Sequence, residues 1–186
     1  MTLNLKVVIM GDPDVGKTSV INQFKDKIFS EKKPDNPDKG VIQTKTITVG
    51  KKEVVFSLGD LIPDSDSTAS DFVNTKACIG IFDLTNSDSL QDVKGFFGMA
   101  DRFASTDNLQ KYICGNKSDL EAVVTDEEIE DMKEKCNIIY KPFKVSAKTG
   151  AGIEEMFAAI ATDIFGDVNE SQKEEKSEKG GCCVLL

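Results

Sequence analysis

Short apolar runs alternate along this chain with stretches in which apolar residues recur every three or four positions. Leu3 to Met10 is nearly continuous apolar sequence and predicts a buried strand. A helix is expected from Lys17 to Lys27. Val41 to Val49 and Glu53 to Leu58 are strand-like, with Gly50-Lys51 as the turn between them. Ala77 to Asp83 and Leu109 to Gly115 are further apolar runs, and Ser87 to Ala104 has helical spacing. Thr125-Asp126-Glu127-Glu128 has the form of a capping box, with Thr125 as N-cap, and opens a helix reaching Cys136. Ile138 to Val145 is expected to be the last strand, and Gly152 to Phe165 a closing amphipathic helix. This alternation predicts an α/β protein: a doubly wound, mostly parallel six-stranded sheet with helices on both faces. Two polar stretches break the pattern and are expected to be loops, Ser30 to Lys39 and Asp60 to Asp71. Asp167 to Gly181 is charged, lacks aromatics and is expected to be a flexible tail.

Composition narrows this picture. The chain has 186 residues and is 39% hydrophobic, which suits one domain with a substantial core. It contains no apolar run of the roughly 20 residues that span a bilayer. The strand-like segment begins almost at once, so no signal peptide is expected. Five cysteines, Cys78, Cys114, Cys136, Cys182 and Cys183, lack metal-ligand spacing and are odd in number, which fits free thiols in a reducing cytosol. A net charge of -9 argues against general nucleic-acid affinity and against charge-driven adsorption to anionic membranes.

The chemistry begins at Gly11-Asp12-Pro13-Asp14-Val15-Gly16-Lys17-Thr18, which fits G-x-x-x-x-G-K-[ST] between a strand and a helix. Glycines let the backbone curl so that successive N–H groups point at phosphate oxygens, and the helix N-terminus adds partial positive charge. Asp14, Val15, Gly16, Lys17, Thr18 and Ser19 are the expected phosphate-binding residues. Lys17 is placed to bridge the outer phosphates and Thr18 to set its hydroxyl on Mg²⁺. This motif alone leaves ATP and GTP open. Asn116-Lys117-Ser118-Asp119 decides between them. It follows a strand at the edge where open α/β sheets bind ligands. A carboxylate there can accept bonds from the N1 and N2 donors of guanine. Adenine lacks that pair and would leave a buried Asp119 unpaired. Ser146-Ala147-Lys148 follows the last expected strand.

These three motifs, in this order and with Ile81-Phe82-Asp83-Leu84-Thr85 between them, resemble the Ras superfamily of small GTPases, and the Rab branch in general look. The resemblance runs from Leu3 to Phe165, plus the tail. It implies the P-loop GTPase fold over residues 1–166, binding of GTP or GDP with Mg²⁺, and a monomer served by exchange proteins, activating proteins and effectors. It also implies that Asn116 ties the base loop to the phosphate loop and that Asp119 reads guanine. Lys117 and Lys148 would flank base and ribose, the Ala147 N–H would meet the guanine carbonyl, and Ser146 belongs to the same loop. Phe29 lies where the family often sets an aromatic over the base; packing into the core is the other reading. Asp60 would hold a Mg²⁺-bound water.

The hydrolytic parts depart from the family. Where Asp-x-x-Gly-Gln is usual, this chain has Asp60-Leu61-Ile62-Pro63-Asp64. Pro63 has no N–H to offer a γ-phosphate. The residues bearing on hydrolysis are then Lys17 and Asp64, and Asp64 replaces a neutral, water-orienting glutamine with a carboxylate. The loop threonine that would bind Mg²⁺ is also missing. Counting places Asn36 or Pro37 there, with Asn36 or Asp38 as stand-ins, while Thr44 falls in the next strand. Pro13 and Asp14 stand in the phosphate loop where small residues are common, Gly59 replaces the tryptophan usual in Rab proteins, and Ser65 to Asp71 has no aromatic or basic anchor. Slow hydrolysis and weak discrimination between GTP and GDP are expected.

The chain ends Cys182-Cys183-Val184-Leu185-Leu186, a C-a-a-X box at Cys183 whose final Leu favours geranylgeranyl. Acids outnumber lysines in the spacer before it, so a second lipid is expected at Cys182, prenyl or palmitoyl. The sequence therefore reads as a prenylated small GTPase, cytoplasmic and reversibly attached to the cytosolic face of a membrane. The alternative is a pseudo-GTPase scaffold that holds GDP or GTP without effective hydrolysis. An ATP-using kinase is disfavoured by Asn116 to Asp119.

Overall fold

The structure is a computed structural model that describes residues 2–32, 42–61, 69–104 and 108–166. Among the described residues six strands form one sheet: β1 Thr2–Met10, β2 Gln43–Val49, β3 Lys52–Leu61, β4 Thr75–Asp83, β5 Gln110–Asn116 and β6 Phe143–Lys144. The helices are α1 Lys17–Asp26, α2 Ser87–Phe103, α3 Asp126–Lys135 and α4 Ile153–Phe165. The strand order is β2-β3-β1-β4-β5-β6. Among the described residues only β2 and β3 pair antiparallel; β1 runs parallel to β3 and β4, and β5 parallel to β4 and β6. The mostly parallel six-stranded α/β sheet expected from the sequence is present.

The continuous apolar run of β1 follows from burial on both faces of the sheet. Leu5, Val7 and Ile9 point into one core with Val20 and Phe24 of α1 and Phe157 and Ile160 of α4. Val8 and Met10 point into the other, with Val93 and Phe97 of α2 and Ile129 of α3. Phe24 and Phe157 stack with centroids 3.9 Å apart, and Phe56 of β3 meets Phe24 edge-on at 5.5 Å. This seats α1, and with it the phosphate loop, firmly on the sheet.

Because β1, β3, β4, β5 and β6 run the same way, their carboxyl ends gather along one edge. The loop after Met10, Asp60 near the end of β3, Asp83 closing β4, Asn116 closing β5 and Ser146 after β6 all lie there. The strand order reverses about β1, and ligands bind at such a switch point.

Most boundaries shift by a residue or two, and two differ by more. The last strand pairs only at Phe143–Lys144, not from Ile138 to Val145. The Ile138 N–H is spent on the carbonyl of Lys133, at the end of α3, and Pro142 has no N–H for a ladder. Tyr140 is held by its side chain instead, stacked on Tyr112 at 4.5 Å with its hydroxyl donated to Gln110. The expected loop from Asp60 is also shorter. Asp60 and Leu61 belong to β3, where they pair with Ile9 and Met10, and Ala69–Phe72 forms a single 3-10 turn that buries Phe72. Lys6 fastens that turn by donating to the carbonyls of Asp71 and Val73. The capping box at Thr125 forms with both reciprocal bonds. Cys78, Cys114 and Cys136 are free and buried. The expected tail lies outside the described residues.

Candidate nucleotide site

Gly11 to Thr18 forms a loop between β1 and α1. A Cβ on Gly11 would sit 2.3 Å from the carbonyl oxygen of Ile81. Gly16, the N-cap of α1, has φ +96°, and a Cβ there would sit 2.4 Å from Asn116 Nδ2. Glycine is required at Gly16 both by conformation and by this close approach. Asp14 also adopts a left-handed conformation, at φ +69°. α1 has no side-chain N-cap, so its first N–H groups face the loop. Pro13 is exposed, and Ser19 is half-buried in the first turn of α1.

Lys17 is buried, and its ammonium donates to the carbonyls of Gly11 at 2.8 Å and Asp12 at 2.7 Å. Burial pushes its pKa below the ordinary lysine range, opposed by the nearby charges of Asp60, Asp12 and Asp14. Thr18 donates its hydroxyl to Asp60 Oδ2. A hydroxyl and a carboxylate brought together this way are hard oxygen donors suited to Mg²⁺, which takes few protein ligands and completes its shell with phosphate oxygens and water. Among the described residues, no group of three His, Cys, Asp or Glu forms a metal cluster, so these two donors would need such outside ligands.

Asn116 joins the two halves of the site. It is buried, its Nδ2 donates to the carbonyl of Val15 at 2.9 Å, and its Oδ1 accepts from the Ala147 N–H at 3.0 Å. One side chain thus ties the phosphate loop, β5 and the Ser146–Lys148 loop together. Ser146 is buried; its hydroxyl donates to Asp119 Oδ1 at 2.6 Å and accepts from the Thr149 N–H at 3.1 Å. Asp119 is exposed, not buried as the sequence argument against adenine assumed, and one of its carboxylate oxygens accepts from the Ser146 hydroxyl.

Lys117 has φ +65° and donates to Asp83 Oδ2 at 2.6 Å. Burial alone would raise the Asp83 pKa, but hydrogen bonds from Lys117 and Thr85 outweigh it and hold the carboxyl below its usual range. Lys148 pairs with Glu31 at 3.3 Å across the solvent-exposed mouth of the site. Phe29 is half-buried and packs against the core that holds Phe24 and Phe157.

Three residues were not singled out from the sequence. Asp83 stood in an apolar run and in the Ile81–Thr85 stretch that carries the resemblance, without a role of its own, yet an acid ending a buried strand at the ligand edge is a usable signal. Glu31 gave none. Asp12 faces Asp92 of α2; burial and that neighbouring carboxylate push the Asp12 pKa up, with Lys17 opposing. Asn36, Pro37, Asp38, Pro63, Asp64, Cys182 and Cys183 lie outside the described residues.

A parallel α/β sheet with a glycine-cradled strand-to-helix loop defines a P-loop nucleotide-binding protein, with a second loop tied to the first where a base would lie. The family model described as Ras family matches residues 6–166. The chain therefore belongs to the Ras family and is a Rab-like small GTPase. It is 29% identical to the Ras-related protein Rab-1D of Dictyostelium discoideum, over 92% of this chain and 86% of that protein. It is 28% identical to human Ras-related protein Rab-27A, over 96% and 95% of the two chains. Dictyostelium Rab-1A is 28% identical over 96% of each.

Proposed function

We propose that this chain is a guanine-nucleotide switch with slow intrinsic GTP hydrolysis, carried on a membrane by C-terminal lipid and acting in vesicle traffic or signalling. The observation that carries the nucleotide reading is Asn116, which fastens the phosphate loop to the base loop through two buried hydrogen bonds. In this reading the backbone from Asp14 to Ser19 and the Lys17 ammonium hold the phosphates. Asp119, aimed by Ser146, reads guanine; the Ala147 N–H, expected from the resemblance to meet the guanine carbonyl, is instead donated to Asn116 Oδ1, so Ala147 acts by fixing the loop. Thr18 directly and Asp60 through a water would hold Mg²⁺, which would neutralise charge on the phosphates. Lys117 and Lys148 flank base and ribose.

Slow hydrolysis rests on Pro63 and Asp64. Proline offers no N–H to the γ-phosphate, and a carboxylate in place of glutamine repels it. The same two residues favour a second reading, a scaffold that binds GDP and GTP alike. Affinities for both, with and without Mg²⁺, together with a single-turnover hydrolysis assay, separate the two. Slow but measurable hydrolysis and Mg²⁺-dependent affinity support the switch; equal affinities without Mg²⁺ dependence support the scaffold. Prenylation at Cys183, with a second lipid on Cys182, rests on the terminal motif. Mass spectrometry of the native C-terminal peptide tests it, and an unmodified Cys183 in the membrane fraction would refute it. In the described residues no helix is long and apolar enough to cross a membrane. The proposed location is the cytosolic face of a membrane, as a monomer, with exchange proteins, activating proteins and effectors as partners.

A further inference from the structure

Asp83 closes β4 directly beside Asn116, its register partner at the end of β5. It is buried, and both of its carboxylate oxygens are committed. Oδ1 accepts from the Thr85 N–H at 2.9 Å and the Thr85 hydroxyl at 2.8 Å. Oδ2 accepts from the Lys117 ammonium at 2.6 Å. The Asp83 backbone is fixed as well, since its N–H donates to the Ser89 hydroxyl in the first turn of α2 at 3.0 Å. The next residue knits the same two loops together. The Leu84 N–H donates to the Asn116 carbonyl at 3.0 Å, and the Leu84 carbonyl accepts from Val123 and Val124.

We infer that Asp83 is a positioning residue for nucleotide binding, which holds Lys117 in the pose from which its side chain lies along the base. The inference rests on the guanine-nucleotide reading of the site. Without a partner, a lysine at the left-handed φ of Lys117 would be free to swing its long side chain into solvent. Fixing it beforehand removes ordering entropy from the binding step, so its loss appears mainly as faster release. The alternative is that Asp83 serves only to close β4. That role needs its backbone, not a carboxylate shared between Thr85 and Lys117.

Asp83→Asn tests this. An amide has one oxygen and no charge, so it cannot satisfy both Thr85 and Lys117. A charge-assisted hydrogen bond of this kind is worth about tenfold or more in an equilibrium constant. The experiment measures release of a fluorescent GDP analogue, chased by excess GDP, from the full chain, Asp83→Asn, Lys117→Met and the double variant. Asp83→Asn is expected to release about tenfold faster, and the double variant to release no faster than Lys117→Met alone. An unchanged rate in Asp83→Asn, or the same additional factor in the Lys117→Met background, would overturn the inference. If Asp83→Asn does not fold, Thr85→Val decides by the same cycle: a faster release that vanishes when Lys117 is Met supports it, and one that persists or never appears overturns it. A wild-type chain that binds no guanine nucleotide would instead sink the reading on which this rests.

Discussion

Asn116→Ala is the most informative single change in the fold-to-site connection. It removes two hydrogen bonds, to the Val15 carbonyl and from the Ala147 N–H, and both Val15 and Ala147 are almost fully buried, at 2% and 3% exposure. Each orphaned buried group costs about 1–3 kcal/mol. Two give about 2–6 kcal/mol, and some relaxation of the loops toward solvent places the expected loss near 3 kcal/mol. For a domain of this size about 1 kcal/mol moves Tm by roughly 2–4 °C, so the expected fall is about 6–12 °C. Differential scanning calorimetry in EDTA, with nucleotide removed, measures this term alone. Added GDP should then raise the wild-type Tm, by mass action, far more than that of the variant, because the variant loses the link between its two binding loops. Ser118→Ala, at an exposed neighbouring side chain, is the control and should stay within about 0.5 kcal/mol of wild type. An Asn116→Ala protein melting within about 2 °C of wild type would refute the reasoning.

Other consequences follow from the same contacts. Gly16→Ala places a methyl against Asn116 Nδ2 at a left-handed φ, and should abolish GDP binding in an equilibrium titration while leaving the far-UV spectrum in place. Asp83 contributes stability above the unfolded carboxylate pKa of about 4, because its folded pKa is depressed; that contribution is lost as pH falls through the lower folded value. Acid titration of unfolding should therefore show a smaller drop below about pH 4 in Asp83→Asn than in wild type. Glu31→Gln removes an exposed ion pair with Lys148 and should speed GDP release by no more than about fivefold, an effect that 1 M salt erases.

The parts of this protein that were legible in its sequence are those whose physics is local. The glycines of the phosphate loop, the capping box at Thr125 and the apolar runs of β1, β4 and β5 each announce themselves within a few residues, and they fix the sheet and the loop that follows β1. The end of the chain's sheet was harder. Ile138 to Val145 has strand-like composition, but Pro142 and the bond from Ile138 back to α3 leave only Phe143–Lys144 to pair. The joints of the site were hardest, because they join residues far apart in sequence. Nothing near Asp83 announces Lys117, thirty-four positions on, and nothing near Glu31 announces Lys148. Asn116 was expected to tie the loops on resemblance, and its two buried bonds give that expectation a physical form.

The central claim is a pocket that reads guanine, and displacement of a fluorescent GDP analogue by unlabelled GDP and ADP tests it most directly. The arrangement of Asp119, Ser146 and Asn116 predicts that GDP displaces the probe at a concentration on the order of 10³-fold lower than ADP, since adenine cannot supply the donor pair that the Asp119 carboxylate would accept. Equal displacement by the two nucleotides, or a probe that never binds, would contradict the account.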